Sequence, residues 1–169
     1  MKVHIKMENY FGLIVGVSLI MMNIGPVKDS TAAMDMKNGI EAEGEFFPSG
    51  PPQKKPERIE AGKNCIVDLT QSYTISGTLS GIIEFNYRIL VKGPCGSTPG
   101  TFDEEWIAYG KFTGNVNGIV TFGNMSYTAE VKAGGEVNGR IVLGQGLEGE
   151  LQVNGNFKDG KLSYKGQIK

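Results

Sequence analysis

Residues 77–81 read GTLSG, residues 114–118 read GNVNG and residues 135–139 read GEVNG, and this recurring phrase decides the fold prediction. Asn-Gly pairs lie in the second and third copies, and an Asn-Gly and an Asp-Gly pair follow at residues 154–155 and 159–160. Asn, Asp and Gly tolerate the positive φ angles that a type I′ turn requires, so these pairs predict β-hairpins. This part of the chain is therefore predicted to be a meander of antiparallel strands.

The segments between these turns alternate apolar and polar residues, as expected for strands with one buried face. In IIEFNYRILV, residues 82–91, every odd-numbered residue is apolar, whereas the even-numbered ones include Glu84 and Arg88. The same alternation recurs in residues 106–113 and 125–132. Together with the neighbouring segments, this pattern predicts about seven to eight strands.

Strands with one apolar face can bury it by closing into a barrel or by folding into a β-sandwich. Closure removes exposed strand edges, and the many glycines supply the corners that strongly coiled strands need. The predicted fold class is therefore all-β, an antiparallel meander closed into a small barrel, with a sandwich as the alternative.

The chain before the meander divides into two predicted segments. Lys2 and Lys6 precede fifteen uncharged residues, FGLIVGVSLIMMNIG, which at about 1.5 Å per residue fall short of the ~30 Å bilayer core. We predict a signal peptide in residues 1–33, or else an uncleaved N-terminal anchor, a flexible Pro/Glu/Lys-rich spacer in residues 34–58 and the barrel domain in residues 59–169. The protein is accordingly predicted to be secreted or extracytoplasmic, or tethered by that anchor.

Charge and side-chain inventory exclude several classes of function. The formal net charge of -1 argues against a nucleic-acid partner. The single histidine, His4, lies in the predicted signal, so the domain has no imidazole for a Ser-His-Asp triad or a His-based metal site. We predict no metal site and no cofactor. Cys65 and Cys95 fit neither zinc nor redox spacing, and in an exported domain they predict a disulfide.

Three motifs carry a resemblance to a known family: ISGTLSGIIEFNY from Ile75, YGKFTGNVNG from Tyr109 and GELQVNGNF from Gly149. They resemble the small barrels of the allene oxide cyclase-like fold, and look most like its uncharacterised bacterial relatives. The resemblance covers most of residues 73–157 and implies a barrel. The cyclases of this fold isomerise an unsaturated fatty-acid epoxide inside the barrel. The matching positions are glycines and apolar residues that specify turns and closure, so that activity is not carried over to this chain.

Strand parity places five aromatic side chains on the apolar faces. We predict that they line a ligand pocket inside the barrel, and the alternative is that they fill its core. These residues are Phe85, Tyr87, Trp106, Phe112 and Tyr127.

Three charged residues are the polar candidates. Glu84 and Arg88 share one strand face and could bind a polar group if that face were the interior; otherwise they solubilise the surface. Glu105 belongs to the acidic run 103–105, which is either a solvated loop end or a source of an acid, a base or a cation ligand.

Two functions from different classes fit these observations. The first is a non-catalytic exported barrel that binds a small apolar ligand or a protein partner. The second is an isomerase or cyclase acting on an apolar substrate inside the barrel. Membrane contact is expected only through an uncleaved N-terminal segment. The two functions are distinguished by whether an apolar cavity of ligand size exists and whether a carboxylate or a tyrosine hydroxyl points into it.

Overall fold

The computed structural model describes residues 39–169; the predicted signal peptide lies outside this range. No helix in the described range has the length and apolarity needed to span a bilayer. A short 3-10 turn, Phe157–Asp159, precedes the last strand. The strands are β1 (Ile40–Pro48), β2 (Glu57–Ala61), β3 (Asn64–Gly77), β4 (Leu79–Val91), β5 (Glu104–Val116), β6 (Ile119–Val131), β7 (Glu136–Gly144), β8 (Gly149–Asn156) and β9 (Lys161–Ile168).

Eight of these strands close into an antiparallel barrel, and β2 lies outside it. The hydrogen-bonded order is β1-β9-β8-β7-β6-β5-β4-β3-β2, and a further pairing of β1 with β3 closes the ring. At the closure Gly44 lies opposite Gly77. A Cβ on Gly77 would lie 2.3 Å from the carbonyl oxygen of Glu43, so this close approach requires a glycine. The predicted barrel is confirmed, and the sandwich alternative is wrong.

The closing strand β1 lies within the predicted spacer, residues 34–58, so that boundary is corrected. β1 pairs with β9 from Ile40 to Phe46, and its C-terminal part pairs with β3. Its sequence, IEAEGEFFP, alternates Ile40, Ala42, Gly44 and Phe46 with three glutamates, and Ala42 and Phe46 are the fully buried residues of this strand. The segment was assigned to the spacer on its Glu- and Gly-rich composition. The barrel domain therefore begins at β1 rather than at residue 59.

Two of the four predicted turn pairs form turns. Asn117 and Gly118 join β5 to β6 with φ angles of 49° and 85°, as a type I′ turn requires. Gly160, of the Asp159-Gly160 pair, ends the 3-10 turn with a φ of 76°.

The other two pairs, at residues 138–139 and 154–155, lie within β7 and β8, so their assignment to turns is wrong. Gly139 faces the Tyr127 ring, where a Cβ would lie 2.7 Å from Cε2. The turn before β7 uses Gly134 and Gly135 instead, both with positive φ.

The barrel interior is filled by side chains from the predicted apolar faces. Phe85, Phe112 and Tyr127 have no exposed surface. The ring centroids of Phe85 and Tyr127 are 5.6 Å apart, and those of Tyr87 and Trp106 are 5.8 Å apart, within the range of favourable aromatic pairs. The predicted parity is therefore correct, and these rings form a packed core.

Candidate functional site

One end of the barrel carries a pocket of about 280 Å³, here called the mouth pocket. It lies where β3 extends beyond the ring. Along one edge of β3, β1 pairs only as far as Pro48, which lies opposite Tyr73. On the same edge β2 pairs only from Glu57, which lies opposite Asp68, so the residues of β3 between these points have no described strand beside them on that edge. As a result, the inner residues Val67 and Leu69 of β3 remain half-buried and line the pocket.

Apolar side chains form most of the pocket wall. The two connecting segments that cover this end, 49–56 and 92–103, contribute prolines, and the strands contribute aliphatic and aromatic groups. The ionisable side chains on the wall are Arg58 and Glu104. The apolar side chains are Pro52, Pro56, Val67, Leu69, Ile89, Val91, Pro94, Pro99, Trp106 and Phe157.

The proline-rich segment 49–56 is held against β3 rather than free. The backbone N–H of Ser49 donates to the Ser72 carbonyl at 2.9 Å, and that of Gln53 donates to the Thr70 carbonyl at 3.0 Å. The amide nitrogen of the buried Gln71 side chain donates to the Gly50 carbonyl at 2.9 Å. These bonds satisfy the edge of β3 between β1 and β2, so the segment is a fixed wall of the pocket and not a flexible spacer.

A disulfide fixes the second covering segment. Cys65, at the start of β3, is bonded to Cys95 in the 92–103 segment, with Cα atoms 4.9 Å apart. The predicted disulfide is confirmed. A structural disulfide is compatible with an extracytoplasmic location.

Glu104 places a carboxylate on the pocket wall. It is 7% exposed. One carboxylate oxygen accepts a hydrogen bond from the Trp106 indole N–H at 2.7 Å, and the other accepts one from the Gly100 backbone N–H at 3.3 Å. Glu104 was not among the site residues predicted from the sequence. Extending the alternation back from Trp106 would have placed Glu104 on the inner face and Glu105 on the outer face.

The three predicted polar candidates lie on the outer surface and do not come together. Arg88 makes a bidentate ion pair with Asp68, at 2.9 and 2.7 Å, and holds the pKa of that carboxyl below its usual value. Glu84 accepts a hydrogen bond from the Gln53 amide, and Glu105 pairs with a lysine at 2.8 Å. Within residues 39–169, no group of three or more His, Cys, Asp or Glu side chains could hold a metal ion.

The five predicted aromatic residues divide by depth. Trp106 lines the mouth pocket, whereas the other four lie in the packed interior. The Tyr87 hydroxyl hydrogen-bonds to that of Tyr73 at 3.1 Å. The Tyr127 hydroxyl has no partner among the described residues, and burial raises the pKa of Tyr127 well above its ordinary value.

A second, wider groove of about 600 Å³ lies on the outer face of the barrel. It is lined by charged and polar groups that include Lys54, Lys55 and the Arg88–Asp68 ion pair. These charges are solvated or paired with each other, and the groove's apolar groups include Ile107 and Tyr109, which lie exposed on the outer face of the sheet. Among the described residues, the groove therefore contains no buried charge. The mouth pocket is the better candidate because it combines an apolar wall with a buried polar group.

Comparisons of the chain with protein-family models, with curated protein sequences and with solved structures gave no significant match. The resemblance to the allene oxide cyclase-like barrels therefore remains a prediction from glycine and apolar positions. Function is therefore inferred from the geometry of the mouth pocket.

Proposed function

We propose that the protein is an exported, non-catalytic β-barrel that binds a small, mainly apolar molecule in the mouth pocket. The observation that carries the proposal is an apolar pocket of about 280 Å³ beside a buried carboxylate. Binding sites for small molecules typically combine an apolar lining with a few placed polar groups. The volume corresponds to about nine water molecules at liquid density, which suits a single ring or a short chain.

The pocket walls are held in place without a ligand. The Cys65–Cys95 bond anchors one covering segment, and backbone hydrogen bonds to β3 anchor the other. A preformed site loses little conformational entropy when a ligand binds. These fixed walls favour the binding of a small ligand in a preformed pocket over a mechanism in which a loop closes around a partner.

The side chains on the pocket wall favour binding over catalysis. Each oxygen of Glu104 already accepts a hydrogen bond, which suits a group that positions a ligand. The isomerase alternative requires a substrate inside the barrel, where the rings of Phe85 and Tyr127 pack against each other. Export is supported by the disulfide and by the predicted signal, and N-terminal sequencing of the natively expressed protein tests it.

Two valine substitutions test the binding site. In Val67→Phe the larger side chain fills the mouth pocket, whereas in Val120→Phe it is added at a position that is 84% exposed at the opposite end of the barrel. We expect 1-hexanol to shift the emission of Trp106 saturably in the wild type and in Val120→Phe, but not in Val67→Phe. Equal binding by both variants would overturn the proposal, and so would a failure of the wild type to bind either 1-hexanol or its amine analogue, n-hexylamine.

A further inference from the structure

Glu104 is a buried carboxylate without a cationic partner. No Lys or Arg nitrogen within residues 39–169 lies within 4.0 Å of its oxygens. Taking a carboxylate out of water is costly unless a counter-charge or sufficient hydrogen bonds compensate. Glu104 receives two hydrogen bonds from neutral donors, whereas a carboxylate offers about four lone-pair sites. It therefore retains the capacity to accept hydrogen bonds from a ligand.

None of the cationic side chains described at this end of the barrel forms an ion pair with Glu104. Lys92 pairs with Glu105 on the outer surface at 2.8 Å. Lys158 lies beside Gly100, and its side chain is exposed to solvent. Arg58 lines the pocket but sits on the exposed strand β2. The pocket thus has a buried negative group and a positive group at its exposed side.

We propose, on the basis of the proposed function, that the ligand is a small organic cation: a primary amine with a short apolar body. Its ammonium group would donate hydrogen bonds to the free acceptor sites of Glu104, and its apolar body would pack against Trp106 and the prolines of the wall. Arg58, being exposed, pairs with an anionic ligand only at the rim. The ligand's charge is therefore set by Glu104 rather than by Arg58.

Three probes with the same chain length distinguish a preference for a cationic, a neutral or an anionic ligand: n-hexylamine, 1-hexanol and hexanoate. Each is titrated into the full-length protein at neutral pH, and binding is followed by calorimetry and by the NMR signal of the Trp106 indole N–H, which belongs to the sole tryptophan. A charge-assisted hydrogen bond should make hexylamine bind at least about tenfold more tightly than hexanol. Hexanoate should bind most weakly.

Two glutamine substitutions test the assignment to Glu104. Glu104→Gln keeps the shape and one acceptor oxygen but removes the charge, whereas Glu105→Gln removes the same charge from the adjacent residue on the outer face. We expect Glu104→Gln to abolish the preference for hexylamine while hexanol still binds. Glu105→Gln should bind all three probes as the wild type does. If Glu104→Gln does not fold, the ranking of the three probes on the wild type decides the question alone.

The outcomes distinguish this inference from the proposed function. Equal affinities for hexylamine and hexanol, both with a shift of the indole signal, would overturn the inference and leave the binding pocket intact. Tighter binding of hexanoate would assign selection to Arg58 and would also overturn it. Equal losses in Glu104→Gln and Glu105→Gln would show a long-range charge effect instead of a contact. If no probe moves the indole signal, the proposed function itself fails.

Discussion

The same substitution, tyrosine to phenylalanine, is expected to change the stability of the barrel in opposite directions at two buried positions. The Tyr127 hydroxyl is fully buried and has no hydrogen-bond partner among the described residues. The Tyr164 hydroxyl accepts a hydrogen bond from the Leu79 N–H at 3.0 Å and donates one to the Ser76 carbonyl at 3.1 Å. Tyr127→Phe therefore removes the free-energy cost of an unpaired buried hydroxyl. Tyr164→Phe instead removes two hydrogen bonds.

We expect Tyr127→Phe to stabilise the barrel by about 1–2 kcal/mol. An unpaired buried hydroxyl costs about 1–3 kcal/mol. Its removal leaves a void smaller than the ~30 Å³ share of a water, so the cavity term, at about 24 cal/mol per Å³, stays below about 0.7 kcal/mol. Tyr164→Phe should destabilise by about 1–3 kcal/mol, because the Leu79 N–H loses its acceptor.

Urea-induced unfolding under oxidising conditions measures both effects from the shift of the transition midpoint at constant slope. The two variants should move the midpoint in opposite directions from the wild type. Destabilisation of about 1 kcal/mol or more by Tyr127→Phe would refute the reasoning, since it would show that the hydroxyl has a partner, such as a buried water.

Three further predictions concern the disulfide, a core glycine and alkaline pH. Replacing both Cys65 and Cys95 with serine should lower the free energy of unfolding by about 3.6 kcal/mol in the chain-entropy model for a separation of 30 residues; a loss under about 1 kcal/mol in urea unfolding would contradict this. Gly139→Ala should destabilise by about 1–3 kcal/mol, because its Cβ would lie 2.7 Å from the Tyr127 ring. Gly144→Ala, where a Cβ meets nothing within 4 Å, is the control and should stay near the wild type. The raised pKa of Tyr127 keeps its phenol neutral in the fold while the unfolded chain ionises near its ordinary pKa of 10.0; stability is therefore retained below pH 10 and falls above it, and Tyr127→Phe should reduce that fall between pH 9 and pH 11.

The barrel was predictable because the central parts of β4, β5 and β6 each carry one apolar face. The closing strand β1 was not recognised, because its glutamates and its small inner residues Ala42 and Gly44 gave it the composition of the neighbouring spacer. Its place in the barrel depends on long-range pairing with β9 and β3. The alternation of Ile40, Ala42, Gly44 and Phe46 with glutamates is the local signal that could have identified β1 as a strand.

The mouth pocket was only partly predictable. Trp106 was predicted to line a pocket, but the location of that pocket depends on where β1 gives way to β2 and on how segment 49–56 follows β3. Glu104 belongs to the acidic run 103–105, for which a solvated loop end was one of the two interpretations. Because Glu104 lies two residues before Trp106 in the same strand, strand parity identifies it as an inner-face residue.

The sequence also holds a signal for two of the aromatic residues that fill the core, Phe85 and Phe112. The Asn117-Gly118 turn fixes the β5–β6 register, which sets Phe112 opposite Gly123 and Trp106 opposite Ala129. Across the β4–β5 pair, Phe85 lies opposite Gly110, where a Cβ would lie 2.6 Å from the Phe85 ring. A glycine opposite an aromatic residue thus gives the ring space to lie across the barrel and pack. Tyr87 and Tyr127 fill the core opposite Ala108 rather than a glycine, so this signal identifies Phe85 and Phe112 and not the whole set of core rings.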